Sequence, residues 1–70
     1  MVPLPIENNL RDIRYDLKKS QVDFAQHLGI GIYQYNRYEK QKVQPSLEIA
    51  LKISEKVGLS VNEIFKLTPE

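Results

Sequence analysis

The chain has 70 residues, of which 41% are hydrophobic and 27% charged, a composition typical of one small globular domain. It contains no cysteine and a single histidine, His27, so we expect no disulfide, no metal site and no cofactor. No apolar run approaches the ~20 residues of a membrane span, and the start lacks a charged-then-apolar signal segment. We therefore expect a cytoplasmic protein.

The net charge of +1 conceals an uneven distribution of charge along the sequence. Residues 18–42 carry a balance of +3, whereas the remaining residues carry −2. A basic segment of this kind is either a phosphate-facing surface or a chance cluster on a solvated face. Its coincidence with the helical motif described below favours the phosphate-facing surface.

The N-terminal part of the sequence predicts an irregular arm followed by a helix. Residues 1–7 include Pro3 and Pro5, which prevent an early helix start. Helix 1 then begins with Asn8 or Asn9 as its cap and extends to about Lys18. Apolar residues recur in it at the spacing of one helix face: Leu10, Ile13 and Leu17.

Two short helices joined by a tight corner follow, in the layout of a helix-turn-helix. Helix 2 covers about residues 21–28, with Ser20 as its cap and Gly29 as a left-handed stop. Helix 3, the candidate recognition helix, covers about residues 32–39 with Gly31 as its cap. The residues predicted to face inward are Phe24, Ala25, Leu28, Tyr35 and Tyr38.

Two further helices complete the predicted fold. Helix 4 begins after the Ser46 cap, runs to Val57 and ends at Gly58. One side of it is predicted to be apolar and consists of Leu47, Ala50, Leu51 and Val57. Helix 5 opens with a capping box of Ser60 and Glu63. No segment alternates strictly as a half-buried strand does, so the sequence predicts an all-α bundle of five short helices.

Residues 9–65 resemble the phage-repressor and Cro group of helix-turn-helix domains, also called Xre-like. The motifs that carry the resemblance are Ile13-Arg14, Ser20-Gln21, Phe24-Ala25, Leu28-Gly29-Ile30, Arg37-Tyr38-Glu39, Pro45-Ser46-Leu47-Glu48 and Val57-Gly58-Leu59-Ser60. The resemblance implies a compact five-helix domain like that of lambda repressor. It also implies sequence-specific binding to double-stranded operator DNA, usually as a two-fold homodimer, by proteins that regulate transcription.

The resemblance also implies roles for individual residues. Gln21 matches a phosphate anchor at the start of helix 2, where free amides favour an anion. The matching DNA-facing positions of helix 3 and of the loop after it are Ile32, Tyr33, Asn36, Arg37, Lys40 and Lys42, with Gln34 at the edge of this surface. Arg37 either bonds a guanine or clamps a phosphate. Arg14 and Glu39 match an ion pair that orients helix 3.

Several positions depart from the family pattern. Ile32 and Tyr33 stand where polar residues are common, so they either contact thymine methyls and sugars or, for Ile32, turn partly into the core. Gln41 stands where the family usually has glycine, and a left-handed conformation there would cost ~1–2 kcal/mol. Lys18 and Lys19 replace what is often a glycine and an apolar residue, so the end of helix 1 is expected to differ.

No arrangement of residues indicates catalysis. Gly29 and Gly31 lack the preceding strand and the third glycine of a dinucleotide fingerprint, and Asp12 and Asp16 have no histidine or cysteine beside them. We expect a transcriptional regulator that acts as a repressor, and not an enzyme. The alternative is a protein-interaction module such as an antitoxin or antirepressor. That alternative predicts an apolar patch around helix 5 or residues 3–6.

Overall fold

The computed structural model describes residues 5–68, and over that range five helices and a short two-stranded sheet follow one another. The elements are β1 (Ile6–Asn8), α1 (Leu10–Asp16), α2 (Gln21–Leu28), α3 (Ile32–Glu39), α4 (Leu47–Val57), α5 (Val61–Ile64) and β2 (Phe65–Leu67). The predicted five-helix architecture is confirmed. Within the described residues no helix is long and apolar enough to cross a membrane.

The sheet was not predicted. Strand β1 pairs antiparallel with β2, with Ile6 opposite Leu67 and Asn8 opposite Phe65. The predicted irregular arm is therefore wrong for Ile6 and Glu7, whereas residues 1–4, including Pro3, lie outside the described residues. Strands of three residues are too short for an alternating pattern to be recognised. Their pairing also joins opposite ends of the sequence, which a local pattern does not reveal.

Serine caps begin three of the helices as predicted. The hydroxyl oxygens of Ser20, Ser46 and Ser60 each accept a hydrogen bond from the backbone N–H three residues later, and Glu63 completes the capping box. Helix α1 begins after Asn9, one of the two caps predicted for it, and differs from the prediction at its other end. The Asn9 side chain makes no cap hydrogen bond and instead donates to the Glu63 carbonyl, while Asn8 Oδ1 accepts the Leu10 N–H.

Helix α1 ends at Asp16, earlier than the predicted end near Lys18. The reason is that Lys18 adopts a left-handed conformation with φ of 56°. The Lys19 N–H then bonds back to the Arg14 carbonyl, a pattern that terminates an α-helix.

The core lies where α1, α2 and α3 meet the inner faces of α4 and α5. It contains all five residues predicted to face inward from α2 and α3, together with Leu10, Ile13, Ile53 and Ile64. The rings of Phe24 and Tyr35 pack edge to face with centroids 5.5 Å apart, joining α2 to α3. This contact fixes the packing of the two helices of the motif.

The predicted apolar side of α4 is partly wrong. Ala50 and Ile53 are buried, but Leu47 and Leu51 are exposed, Leu47 to 71%. Helix α4 carries apolar residues on two adjoining faces, and the rest of this small domain covers only one of them. The sequence shows both faces but not which of them meets α2.

Candidate nucleic-acid interface

A tight corner sets α3 against α2. Gly29 ends α2 in the left-handed conformation, with φ of 74°, and the Ile30 N–H bonds back to the Ala25 carbonyl. Gly31 then caps α3 through backbone geometry alone, because it has no side chain to accept a bond. Helices α2 and α3 thus have the bounds expected from the sequence, 21–28 and 32–39.

The outer side of α3 carries a stripe of exposed and partly exposed side chains. With Tyr35 and Tyr38 buried, residues spaced by three or four positions face away from the core. Tyr33 is 77% exposed, and Ile32 is also exposed, so the alternative that Ile32 turns into the core is wrong. The stripe consists of Ile32 and Tyr33, which are exposed, and Asn36 and Arg37, which are partly exposed. We call it the α3 stripe.

Arg37 is held along the stripe by an aromatic ring. Its guanidinium carbon lies 6.0 Å from the centroid of the Tyr33 ring, one turn earlier on α3. No hydrogen bond or ion pair joins the guanidinium to any of residues 5–68. Within that range its N–H donors have no hydrogen-bond partner, and the Tyr33 ring lies on one side of the guanidinium.

Arg14 and Glu39 form the expected ion pair beneath this surface. Arg14 Nη2 lies 2.9 Å from Glu39 Oε1, and Arg14 Nε donates to Glu39 Oε2 at 3.0 Å. Their side chains are only 11% and 5% exposed. Arg14 Nη1 donates to the Lys19 carbonyl at 3.1 Å, so this one guanidinium ties together α1, the start of α2 and the end of α3.

The ionised form of Glu39 is favoured despite its burial. Burial by itself would raise the pKa of this carboxyl group, but hydrogen bonds from Arg14 and Gln21 outweigh it and hold the pKa below its ordinary value. The hydrogen bond from Glu39 raises the pKa of Arg14 in turn. Burial also raises the pKa of the nearby Tyr35 hydroxyl. The pair therefore stays charged at neutral pH.

Glu39 also sets the orientation of two amides that reach the surface. An ionised carboxylate only accepts hydrogen bonds, so Gln21 turns Nε2 toward Glu39 Oε1 at 3.2 Å. Gln21 Oε1 is then left to accept from Asn36 Nδ2, also at 3.2 Å. This chain of bonds places Gln21, the predicted phosphate anchor, against Asn36 of the α3 stripe. The sequence predicted both residues but not their contact.

Gln34 stands apart from the stripe. It is exposed, and its Nε2 donates to the Tyr38 hydroxyl at 2.8 Å, which directs its amide along the edge of α3. Lys40 and Lys42 are exposed in the loop that follows. Gln41 between them is left-handed with φ of 61°. This is the conformation considered for it from the sequence.

Sequence reasoning missed the residues that bind this loop to the rest of the domain. Asn8, Gln41 and Gln44 form a cluster of side-chain amides connecting β1 with the loop. The sequence did carry one signal of this cluster, because Gln41 stands where the family usually has glycine. A residue other than glycine is strained in the left-handed conformation, and a side-chain contact often offsets the strain. Within residues 5–68 no three histidine, cysteine or acidic side chains are grouped to hold a metal ion.

A family model described as helix-turn-helix matches residues 10–64. The chain thus belongs to the helix-turn-helix family of the Xre type, a family of DNA-binding transcription regulators. It is 28% identical over 61 residues to RstR, the transcriptional repressor of the cryptic phage CTXphi, from Vibrio cholerae serotype O1. The match covers 87% of the chain and 54% of that repressor, so the chain spans about half the length of this relative.

A solved structure has the same fold. The crystal structure of a proposed DNA-binding protein from Bacteroides fragilis superimposes with a TM-score of 0.74. The match covers 87% of the chain and 98% of that protein at 18% sequence identity. At this level of identity the likeness concerns the fold alone.

Proposed function

We propose that the chain binds double-stranded DNA in a sequence-specific manner and represses transcription, with α3 inserted into the major groove. The observation that carries the proposal is the α3 stripe, a helix face that combines an amide, exposed apolar groups and a guanidinium that has no hydrogen bond or ion pair within residues 5–68. A face of this composition suits the donors, acceptors and methyl groups of base-pair edges. The similarity to a phage transcriptional repressor supports repression rather than activation.

Arg37 is the residue we assign to base reading. Its guanidinium makes no bond within residues 5–68, and Tyr33 supports it from one side. A guanidinium presented in this way can donate to O6 and N7 of one guanine. Gln21, Lys40 and Lys42 flank the stripe and are assigned to phosphates, as is usual for groups that fix the position of a protein on DNA.

Asn36 is assigned to adenine. Because its Nδ2 donates to Gln21 Oε1, the orientation of its amide is fixed, leaving one N–H and the carbonyl Oδ1 for a base. A donor beside an acceptor complements N7 and the N6 amino group of adenine. Ile32 and Tyr33 supply apolar contacts to thymine methyl groups or sugars.

We propose that the DNA-bound form is a homodimer. The face formed by β1, β2 and the start of α4 is apolar and lies outside the α3 stripe. Leu67 is 79% exposed there, opposite Ile6 in the sheet, and Ile6 and Leu47 line a cavity of about 200 Å³ between β1, α4 and α5. A two-fold pair through this face would present two copies of α3 to two half-sites.

The same apolar face favours the alternative function, a module that binds another protein as an antitoxin or antirepressor does. Large exposed apolar patches mark interaction sites of either kind. The two functions place different demands on the α3 stripe. Only DNA binding requires that the stripe be accessible and that basic residues surround it.

Selection of binding sites from random duplex DNA at a fixed salt concentration tests the proposal. We expect enrichment of one symmetric motif with a guanine and an adenine in each half-site. Arg37→Ala should lose the guanine preference. Lys52→Ala removes the same charge from the exposed side of α4, where Lys52 pairs with Glu48, and should keep the motif. Failure of the unaltered chain to enrich any sequence would overturn the proposal in favour of the protein-binding alternative.

A further inference from the structure

Gln41 connects the end of the recognition helix to a strand formed by residues near the start of the sequence. Helix α3 terminates because the Lys42 N–H bonds to the Arg37 carbonyl, which places Gln41 in the left-handed conformation. Its exposed backbone position would suit glycine, yet its side chain reaches β1. Gln41 Nε2 donates to the Asn8 carbonyl at 2.9 Å, and Gln41 Oε1 accepts the Asn8 N–H at 3.1 Å.

The side-chain amide of Gln41 makes the two hydrogen bonds to β1 that a residue of a neighbouring strand would make. In an antiparallel sheet, one residue of the adjacent strand bonds both the N–H and the C=O of its partner. Gln41 does this to Asn8 from a loop, on the edge of β1 that β2 leaves open. The loop is therefore held to the sheet at a single defined position.

A second set of bonds closes the cluster around Asn8, which is buried. Asn8 Nδ2 donates to Gln44 Oε1 at 2.8 Å and to the Tyr38 carbonyl at 3.0 Å, in the last turn of α3. Gln44 Nε2 donates to Gln41 Oε1 at 3.0 Å. Three amides thus join β1, the end of α3 and the loop after it, and both exposed lysines lie between these fixed points.

We propose that Asn8 and Gln41 are positioning residues for DNA binding. They hold the loop of residues 40–42 in the conformation in which Lys42 meets a phosphate, without touching the DNA themselves. The inference rests on the proposed function. A loop that is already fixed before binding loses little conformational entropy when the complex forms. The hydrogen bonds of Asn8 and Gln41 therefore increase affinity through the lysine that they position.

A double-mutant cycle between Gln41→Gly and Lys42→Ala tests this inference. Glycine removes the amide and also relieves the left-handed strain, so the variant is expected to remain folded. Gln41→Gly should weaken binding to the selected duplex by ~3- to 10-fold, the equivalent of one lost hydrogen bond. In the Lys42→Ala background the same change should weaken it by less than about 2-fold, because the contact that it positions is already absent.

One further measurement and three contradicting outcomes separate this inference from the proposed function. The preference for selected over scrambled duplex should be unchanged by Gln41→Gly, because a phosphate contact carries no sequence information. Equal effects in both backgrounds, which a merely structural role would produce, would overturn the inference while leaving the proposed function intact. No effect of Gln41→Gly in either background would do the same. Absence of DNA binding by the unaltered chain would overturn both.

Discussion

At the scale of single residues, Glu39 determines the arrangement beneath the proposed DNA surface. Its two oxygens accept from Arg14, and Oε1 also accepts from Gln21. An acidic residue at the end of a DNA-facing helix would repel phosphate if it were exposed and unpaired. Buried and neutralised, Glu39 instead joins α1, α2 and α3. Its role is therefore structural, and its influence on the surface passes through Gln21 to Asn36.

Removal of one partner of this ion pair should strongly destabilise the domain. Arg14→Met leaves the Glu39 carboxylate buried without its partner, and we expect the free energy of unfolding to fall by roughly 3–5 kcal/mol. The exposed pair of Glu48 and Lys52 is the control, and Lys52→Met should change stability by less than about 1 kcal/mol. Chemical denaturation gives both values. Equal small effects would mean that the buried pair contributes no more than a surface pair.

Acidification should remove the contribution of Glu39. Because its pKa is lowered in the folded state, its contribution is fully present above the unfolded value of ~4.3 and is lost as the pH falls through the folded pKa. Unfolding free energies measured from pH 6 to pH 2 should therefore decline with acidity. Glu39→Gln should start lower and decline less. A variant with the same pH slope as the unaltered chain would show that Glu39 does not titrate differently on folding.

At the scale of helices and strands, a left-handed residue other than glycine lies two positions after the last residue of α1 and of α3. These residues are Lys18 and Gln41, and in each case the next backbone N–H bonds back to a carbonyl of the helix. The Lys18 side chain makes no hydrogen bond within residues 5–68, whereas Gln41 makes bonds to β1. Lys18 therefore shows backbone strain alone, whereas Gln41 shows backbone strain together with side-chain hydrogen bonds that offset it.

Glycine at these two positions should have opposite effects on stability. Lys18→Gly only relieves strain, and we expect a gain of about 0.5–1 kcal/mol after the larger loss of chain entropy is included. Gln41→Gly relieves the same strain but loses hydrogen bonds worth about 0.5–1.5 kcal/mol each, so we expect a loss of up to about 2 kcal/mol. Thermal unfolding of both variants provides the comparison. Equal gains at both positions would show that the amide cluster adds no stability.

The helices were predictable from sequence because their signals are local. Ser20, Ser60 and Gly29 mark helix ends through bonds to residues within the next or the preceding turn. The partner of β1 and the buried face of α4 were not predictable, since both depend on contacts between distant segments. In the candidate site, Arg14 and Glu39 were identified through family resemblance. The contact of Gln21 with Asn36 follows only from three-dimensional packing.

At the scale of the whole molecule, the α3 stripe and the apolar face of β1, β2 and α4 occupy separate surfaces. In the proposed mode of binding, one copy of α3 covers only a few base pairs. A dimer through the apolar face would place two such helices about one turn of DNA, ~34 Å, apart. This arrangement leaves both proposed surfaces free to act together.

Native mass spectrometry of the complex with a selected duplex should therefore give two chains per site. Leu67→Ser removes an exposed leucine from the proposed dimer face and should reduce that stoichiometry or weaken binding by more than 10-fold. The control is Leu17→Ser, at the end of α1 and also exposed, which should keep two chains per duplex. One chain per specific site in the unaltered protein would refute the dimer.

The most direct test of DNA recognition by α3 is a salt series on selected and scrambled duplexes with Arg37→Ala and Lys42→Ala. Arg37→Ala should cost ~1–3 kcal/mol on the selected duplex alone and relax preference at one base position. Lys42→Ala should weaken both duplexes equally and reduce the slope of log affinity against log salt by ~1 per lost contact, or ~2 for a dimer. If neither variant changes binding to either duplex, α3 and its loop are not the surface that meets DNA.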